Sequence, residues 1–178
     1  TATITATSGS ASATATATVS QVAQSVTLAP TSLSFTSAGD TATLVATVRD
    51  AGGTVISNPT VTWATSNASV ATVSSAGLVT AVTDGTATIT ATSGSVSATA
   101  VATVSQVAQS VTLAPTSLSF TSAGDTATLV ATVRDAGGTA ILNPTVTWAT
   151  SNASVATVSA AGLVTAVADG TATITATS

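Results

Sequence analysis

Tandem β-sandwiches in an all-β chain are what these 178 residues predict, on three features of the sequence. Apolar and polar residues alternate with a period of two. Gly, Asp, Asn and Pro punctuate the alternating runs at short intervals, and the whole pattern returns with residues 86–178 laid over residues 1–93. A period of two sends successive side chains to opposite faces of a strand, so that one face is buried and the other is wet. In Thr41–Asp50, Leu44, Ala46 and Val48 share one face, while Thr43, Val45, Thr47 and Arg49 share the other.

Taken in order, strands are expected at about 25–29, 33–37, 41–49, 60–65, 70–74, 78–82, 86–92 and 95–104, with the same set one repeat later. Ala38-Gly-Asp separates the second from the third, and Asp50-Ala-Gly-Gly closes the third. Ser57-Asn-Pro precedes the fourth, Ser75-Ala-Gly divides the fifth from the sixth, and Asp84-Gly opens the seventh. Gly supplies positive φ at such turns, and Asp or Asn bonds its own backbone. No segment has helical periodicity. Seven or so short strands with regular turns make a β-sandwich, and the one large side chain per repeat, Trp63 or Trp148, is expected to be its central plug, next to Phe35 or Phe120.

The repeat is nearly perfect. Only Ala11/Val96, Thr16/Val101, Val55/Ala140, Ser57/Leu142, Ser75/Ala160 and Thr83/Ala168 differ between the two copies. Such fidelity suits a unit that spans distance or presents one surface many times. Thr1–Ser8 and Thr171–Ser178 are the same word, TATITATS, so the sequence reads as a window of a longer array.

Composition removes most chemistry. The chain has no His, Cys, Met, Tyr, Glu or Lys, and its ionisable side chains are Asp40, Asp50, Asp84, Asp125, Asp135, Asp169, Arg49 and Arg134. A hydroxyl nucleophile needs an adjacent base, and no imidazole or amine side chain is available to serve as one. Zinc and transition metals lack their nitrogen and sulfur ligands. Catalytic, cofactor-binding and metal-ligating residues are accordingly expected to be none, and the protein is expected not to be an enzyme. Every Asp lies within two residues of a Gly, which reads as turn capping rather than calcium binding. Asn67-Ala-Ser69 and Asn152-Ala-Ser154 have the form of glycosylation acceptors but read as turn residues.

A net charge of −4 with two Arg gives nucleic acid no electrostatic hold, and Thr or Ser interrupts every apolar run well short of a membrane span. Disorder is equally excluded: 44% of residues are hydrophobic and 4% charged, with a mean hydropathy of +0.60, whereas disordered chains are polar and charged.

With these words assembled, the sequence resembles the bacterial immunoglobulin-like domain of group 2. The matching words are V-x-L-x-P (Val26, Leu28, Pro30), V-T-W-A-T-S-N (Val61 to Asn67), V-A-T-V (Val70 to Val73), G-L-V-T-A-V (Gly77 to Val82) and G-T-A-T-I-T-A-T (Gly85 to Thr92), all in the right order. The resemblance implies tandem immunoglobulin-like β-sandwiches of the kind found on bacterial surface proteins, including adhesins. It transfers no catalytic or binding residue. It also sets the phase: residues 1–21 are the terminal hairpin of a preceding repeat, 22–106 a complete repeat, and 107–178 a repeat lacking its last strand. An unpaired edge beside that gap exposes backbone donors and acceptors. Either the continuing chain or a strand of a neighbouring molecule is expected to fill it, and residues 1–21 are expected to pack against the open end of another copy.

The outer faces read as rows of threonine, Thr86, Thr88, Thr90 and Thr92 in one strand and Thr14, Thr16 and Thr18 in another. Three uses fit such rows: O-linked glycans, lateral packing between copies, and a flat ice-binding array. A simple preference of Thr for strands fits them as well. Near-absence of charge favours association through neutral β surfaces. The expected role is therefore a structural repeat of an extracellular bacterial filament or adhesin stalk, with neighbouring copies as partners. The alternative is a binding module for glycan or ice. Ser105-Gln-Val-Ala-Gln-Ser110 is too short and apolar for a loose linker, and is expected to restrict bending between units.

Overall fold

The computed structural model describes residues 1–178, which form strands and no helix. A hairpin comes first: β1 (Ala2–Ser8) pairs antiparallel with β2 (Ala11–Ala17) around Gly9, whose φ is +61°. Every residue of this hairpin is exposed.

The first sandwich contains β3 (Ser25–Ala29), β4 (Ser32–Phe35), β5 (Thr41–Thr43), β6 (Val45–Arg49), β7 (Thr62–Thr65), β8 (Ala71–Val73), β9 (Leu78–Ala81), β10 (Gly85–Ser93) and β11 (Val96–Val104). One layer runs β4-β11-β10-β7, and the other is built from the pair β3-β6 and the triplet β5-β9-β8. All pairings are antiparallel except β11 with β4, which is parallel. Alternation holds where two layers face each other: Ala87, Ile89 and Ala91 of β10 and Ala100, Ala102 and Val104 of β11 point inward and are buried. Small inner residues leave room for Leu44, Val48 and Val79 from the opposite layer, and together these belong to a core of 16 buried residues.

Three sequence expectations are corrected. The run 41–49 is two strands, because the chain crosses between sheets at Leu44, whose N–H donates to Gly77 O rather than to a ladder partner. The run 33–37 is shifted to 32–35, since the amides of Thr36 and Ser37 donate to the Asp40 carboxylate and turn the chain early. Trp63 is half-buried and is not the central plug: it lies on β7, the edge strand of its sheet, with no further strand beyond it. Leu44 and Ile89, at 1% and 0% exposure, occupy the centre.

The second unit repeats this plan with β12 (Ser110–Ala114), β13 (Thr126–Thr128), β14 (Val130–Arg134), β15 (Thr147–Thr150), β16 (Ala156–Val158), β17 (Leu163–Ala166) and β18 (Ile174–Thr177). Two expected elements differ. The counterpart of β4, Ser117–Phe120, is not a strand, and β18 is shorter than β10. Both changes have one cause: β11 has no counterpart here, so neither segment has the ladder partner that holds it in the first unit. The main core cluster of this unit has only Leu129, Ala156 and Val164 buried.

Gly77 fixes the crossing at Leu44. Its φ is +79°, and a Cβ there would sit 2.5 Å from Leu44 O and 2.9 Å from the Trp63 ring. Gly77→Ala should lower the stability of the first unit by about 2–4 kcal/mol, from overpacking and a left-handed alanine together. Gly53→Ala has the same φ of +79° but open space around it, and should cost only about 1 kcal/mol. Urea titration of both variants measures the difference; equal losses would show that the close approach to Trp63 is immaterial.

Candidate functional site

No three of the carboxylates gather into a metal-holding group, and the chain has no helix long and apolar enough to cross a membrane. The built features lie instead at the junction of the two units and along one side of the second unit.

The junction begins where β11 ends. Ser105 and Val107 donate their N–H groups to Phe35 O and Thr36 O of the first unit, each at 3.0 Å, and Gln109 donates to Arg134 O of the second at 2.8 Å. Between them the Gln106 N–H donates to Asp84 Oδ1 at 2.6 Å. The connecting segment is thus bonded by its first three amides to the first unit and then, through Gln109, to the second.

Asp135 is the centre of the joint. Its Oδ2 accepts the Ala38 N–H of the first unit and the Gln106 side-chain N–H, both at 2.8 Å, and its Oδ1 accepts the Thr139 N–H at 2.8 Å. The residue is 2% exposed, and Ser37 opposite it is 4% exposed. Gly137 seats the turn against the first unit: a Cβ there would approach Ala38 O to 3.0 Å. Arg134 braces the same turn by donating to Gly138 O at 2.9 Å. A buried carboxylate without a cation survives because N–H donors surround it. The Gln106 amide is the main cause holding its pKa below the ordinary aspartate value; burial opposes this, and the backbone N–H groups of Ala38, Thr139 and Gly137 add to it.

Sequence reasoning saw Asp135 only as a turn cap. That reading describes Asp40 and Asp125, each of which accepts backbone N–H groups of its own turn, and Asn67, whose Oδ1 accepts the Ser69 N–H at 3.0 Å. It misses the contact between units, because Asp50 and Asp135 stand in identical words and nothing local marks one as buried.

The second feature is a groove of about 690 Å³ on the second unit, lined by Leu113, Leu118, Phe120, Leu129, Val164 and Ile174 among others. β11 occupies the equivalent place in the first unit, where Leu33, Phe35 and Ile89 are buried; Leu118, Phe120 and Ile174 are only half-buried. The threonine rows are not a continuous flat array. Thr86 faces Thr103 and Thr90 faces Thr99, but Thr88 faces Val101. Thr88, Thr90 and Thr92 are half-buried rather than fully outward, because β7 flanks them on the other side.

The sign of the pH effect follows from the lowered pKa of Asp135. The carboxylate contributes fully above the unfolded value of about 3.9, and its contribution is lost as pH falls through the lower folded value. Spin-label distances between the units should give a narrow distribution at neutral pH that broadens below about pH 4. Asp135→Asn, which sets an NH2 group against N–H donors, should broaden it at pH 7; an unchanged distribution under both conditions would contradict the joint.

Residues 22–104 and 107–178 each match the family model of the bacterial Ig-like domain, group 2. Among solved structures, the chain is similar to domains 4 and 5 of the S-layer protein SbsC at 24% identity and a TM-score of 0.44, over 54% of this chain and 59% of that one. It is similar to domains 4–9 of SbsC at 19% identity and a TM-score of 0.45, over 93% of this chain and 31% of that one. The Yersinia pseudotuberculosis adhesin InvE aligns at 20% identity and a TM-score of 0.41, over 70% of this chain and 38% of that one. The chain therefore spans less than two thirds of each of these structures. No curated protein matches it. With two matches in tandem that cover most of its residues, the chain belongs to the bacterial Ig-like group 2 domain family.

Proposed function

We propose that this chain is a structural segment of an extracellular bacterial filament or adhesin stalk, and not an enzyme. The observation that carries this reading is the joint: two nearly identical sandwiches are fastened by a buried carboxylate and a hydrogen-bonded connector, rather than hung on a loose linker. A repeated rigid joint converts a row of domains into a rod. Neutral, nearly charge-free surfaces suit permanent packing against neighbouring copies, whereas a freely soluble monomer usually carries far more charge.

Strand complementation between copies extends this reading. The hairpin β1–β2 is the sequence twin of β10–β11, and its Ala15, Ala17 and Val19 correspond to the buried Ala100, Ala102 and Val104. In another copy, β2 would enter the groove of the second unit between β18 and Ser117–Phe120. It would exchange β1 for a strand of the same sequence, since Ala2–Ser8 and Ala172–Ser178 are identical. Pairing is therefore conserved in the exchange, and the gain is the new parallel ladder plus apolar burial. Val19, two residues past β2, is 85% exposed, and burying such a side chain contributes about 1.5–3 kcal/mol. The differences at Ala11 and Thr16 do not obstruct entry: Ala11 is smaller than Val96, and Val101, the twin of Thr16, faces outward.

Electron microscopy of the native material, with intact mass under denaturing conditions, tests the proposal. Filaments that persist as one long chain support a covalent stalk, and filaments that fall into short subunits support strand complementation. Isolated single rods would overturn the filament. Ala17→Asp, which puts a charge on the inserted face, should abolish assembly of short subunits while leaving each chain folded.

A further inference from the structure

We propose a further function for β11: with β4 it forms a force-bearing clamp, in which tension along the row of units is carried as shear by a parallel strand pair. The proposal takes from the stalk reading only that the chain is pulled lengthwise.

The points where load enters a unit are set by the joint. The first unit meets the next at its Ala38 turn, beside the end of β11, where Ser105 bonds Phe35 O and Ala38 bonds Asp135. The second unit meets the first at its Asp135 turn, beside the start of β12, where Gln109 bonds Arg134 O. The first unit opens with the twin of that bond, from Gln24 to Arg49 O. A lengthwise pull therefore draws β3 one way and β11 the other.

Pairing decides how that pull is borne. β4 and β11 are parallel, in register from Ser32↔Val101 to Phe35↔Val104. Load reaches β4 from its N-terminal end, through β3 and Thr31, and reaches β11 from its C-terminal end, through the connector. The two strands are thus drawn past each other along their length, and the rungs between them must yield together. A pair loaded with both handles at one end would instead open rung by rung. The ladder also runs on beyond the strands: Val101 N–H donates to Thr31 O, Ser105 N–H to Phe35 O and Val107 N–H to Thr36 O, each at 3.0 Å. The inward residues of the pair, Leu33, Phe35, Ala102 and Val104, are all buried, so sliding must draw apolar surface into water. β3 stands ahead of β4 in the load path, paired with β6 from Ser25↔Arg49 to Ala29↔Val45. Should it yield, the β4–β11 pair still holds the unit closed.

Optical-tweezers stretching of the 178-residue chain tests the clamp, with handles on introduced thiols because the chain has no native Cys. Forced unfolding reads the barrier to opening rather than the equilibrium stability. With handles on Thr1→Cys and Ser178→Cys, the second unit, in which β11 has no counterpart, should open at low force. The first unit should open at a distinctly higher force, recognised by the longer chain that it releases. Thr36→Cys with Ser105→Cys puts both handles at exposed positions at the same end of the two strands. Pulled there, the same rungs are peeled in turn, and the first unit should open at a severalfold lower force. Val107→Pro removes the N–H that bonds Thr36 O at a position 57% exposed. It should lower the end-to-end force while leaving the urea midpoint nearly unchanged. The clamp is overturned by a first unit that opens no harder end to end than when peeled, by a second unit as resistant as the first, or by an end-to-end force that ignores Val107→Pro. Electron microscopy of the native material decides the stalk separately, so failure of the one is distinguished from failure of the other.

Discussion

Closure of the sandwich by its last strand is the constraint on which the rest of this structure depends. β11 pairs antiparallel with β10 and parallel with β4, and thereby links the two ends of the unit's sequence through one sheet. Its inner face is alanine and valine, so it contributes less by bulk than by what it seals. Leu33 and Phe35 are buried on the strand beside it and Ile89 is fully enclosed. The second unit shows the same chain without that seal. Ser-Leu-Ser-Phe is a strand at 32–35 and is not one at 117–120, although the residues and their neighbours are the same. Local preference is identical in the two places, so the ladder partner decides, as expected where β-propensity reflects packing more than backbone.

Small inner residues and an uncharged exterior are two sides of one design. Alanine on the facing positions of β10 and β11 brings the layers close, and the enclosed space is filled by Leu44, Val48, Val79 and Ile89. A unit of this size buries a modest fraction of its surface, and cohesion between units adds to what the core supplies. At the joint that cohesion includes hydrogen bonds to the Asp135 carboxylate. Asp135 accepts an amide from the first unit's turn and one from the connector, and so ties the second unit to both.

Much of this was legible in the sequence, and the limits have physical reasons. Period-two alternation located most strands of the first unit, because each has one buried and one wet face. Turn words located the breaks. The division at Leu44 was not legible, since alternation continues unbroken while the chain passes from one sheet to the other, and only the Gly77 carbonyl marks the crossing. Trp63 was misplaced because size suggested the centre, whereas it lies on an edge strand and is half-buried. The joint was hidden most completely. Asp50 and Asp135 share a word, and their difference in burial arises from what lies across a junction, which no local pattern encodes.

Completion of the second unit by a strand from another copy is tested most directly by native-state hydrogen exchange on the 178-residue chain at rising concentration. Amides of 117–120 and 172–177 should gain protection with concentration and approach that of 32–35 and 87–92, which should stay constant. Protection in the second unit that is independent of concentration would contradict the assignment of its groove to a strand of a neighbouring copy.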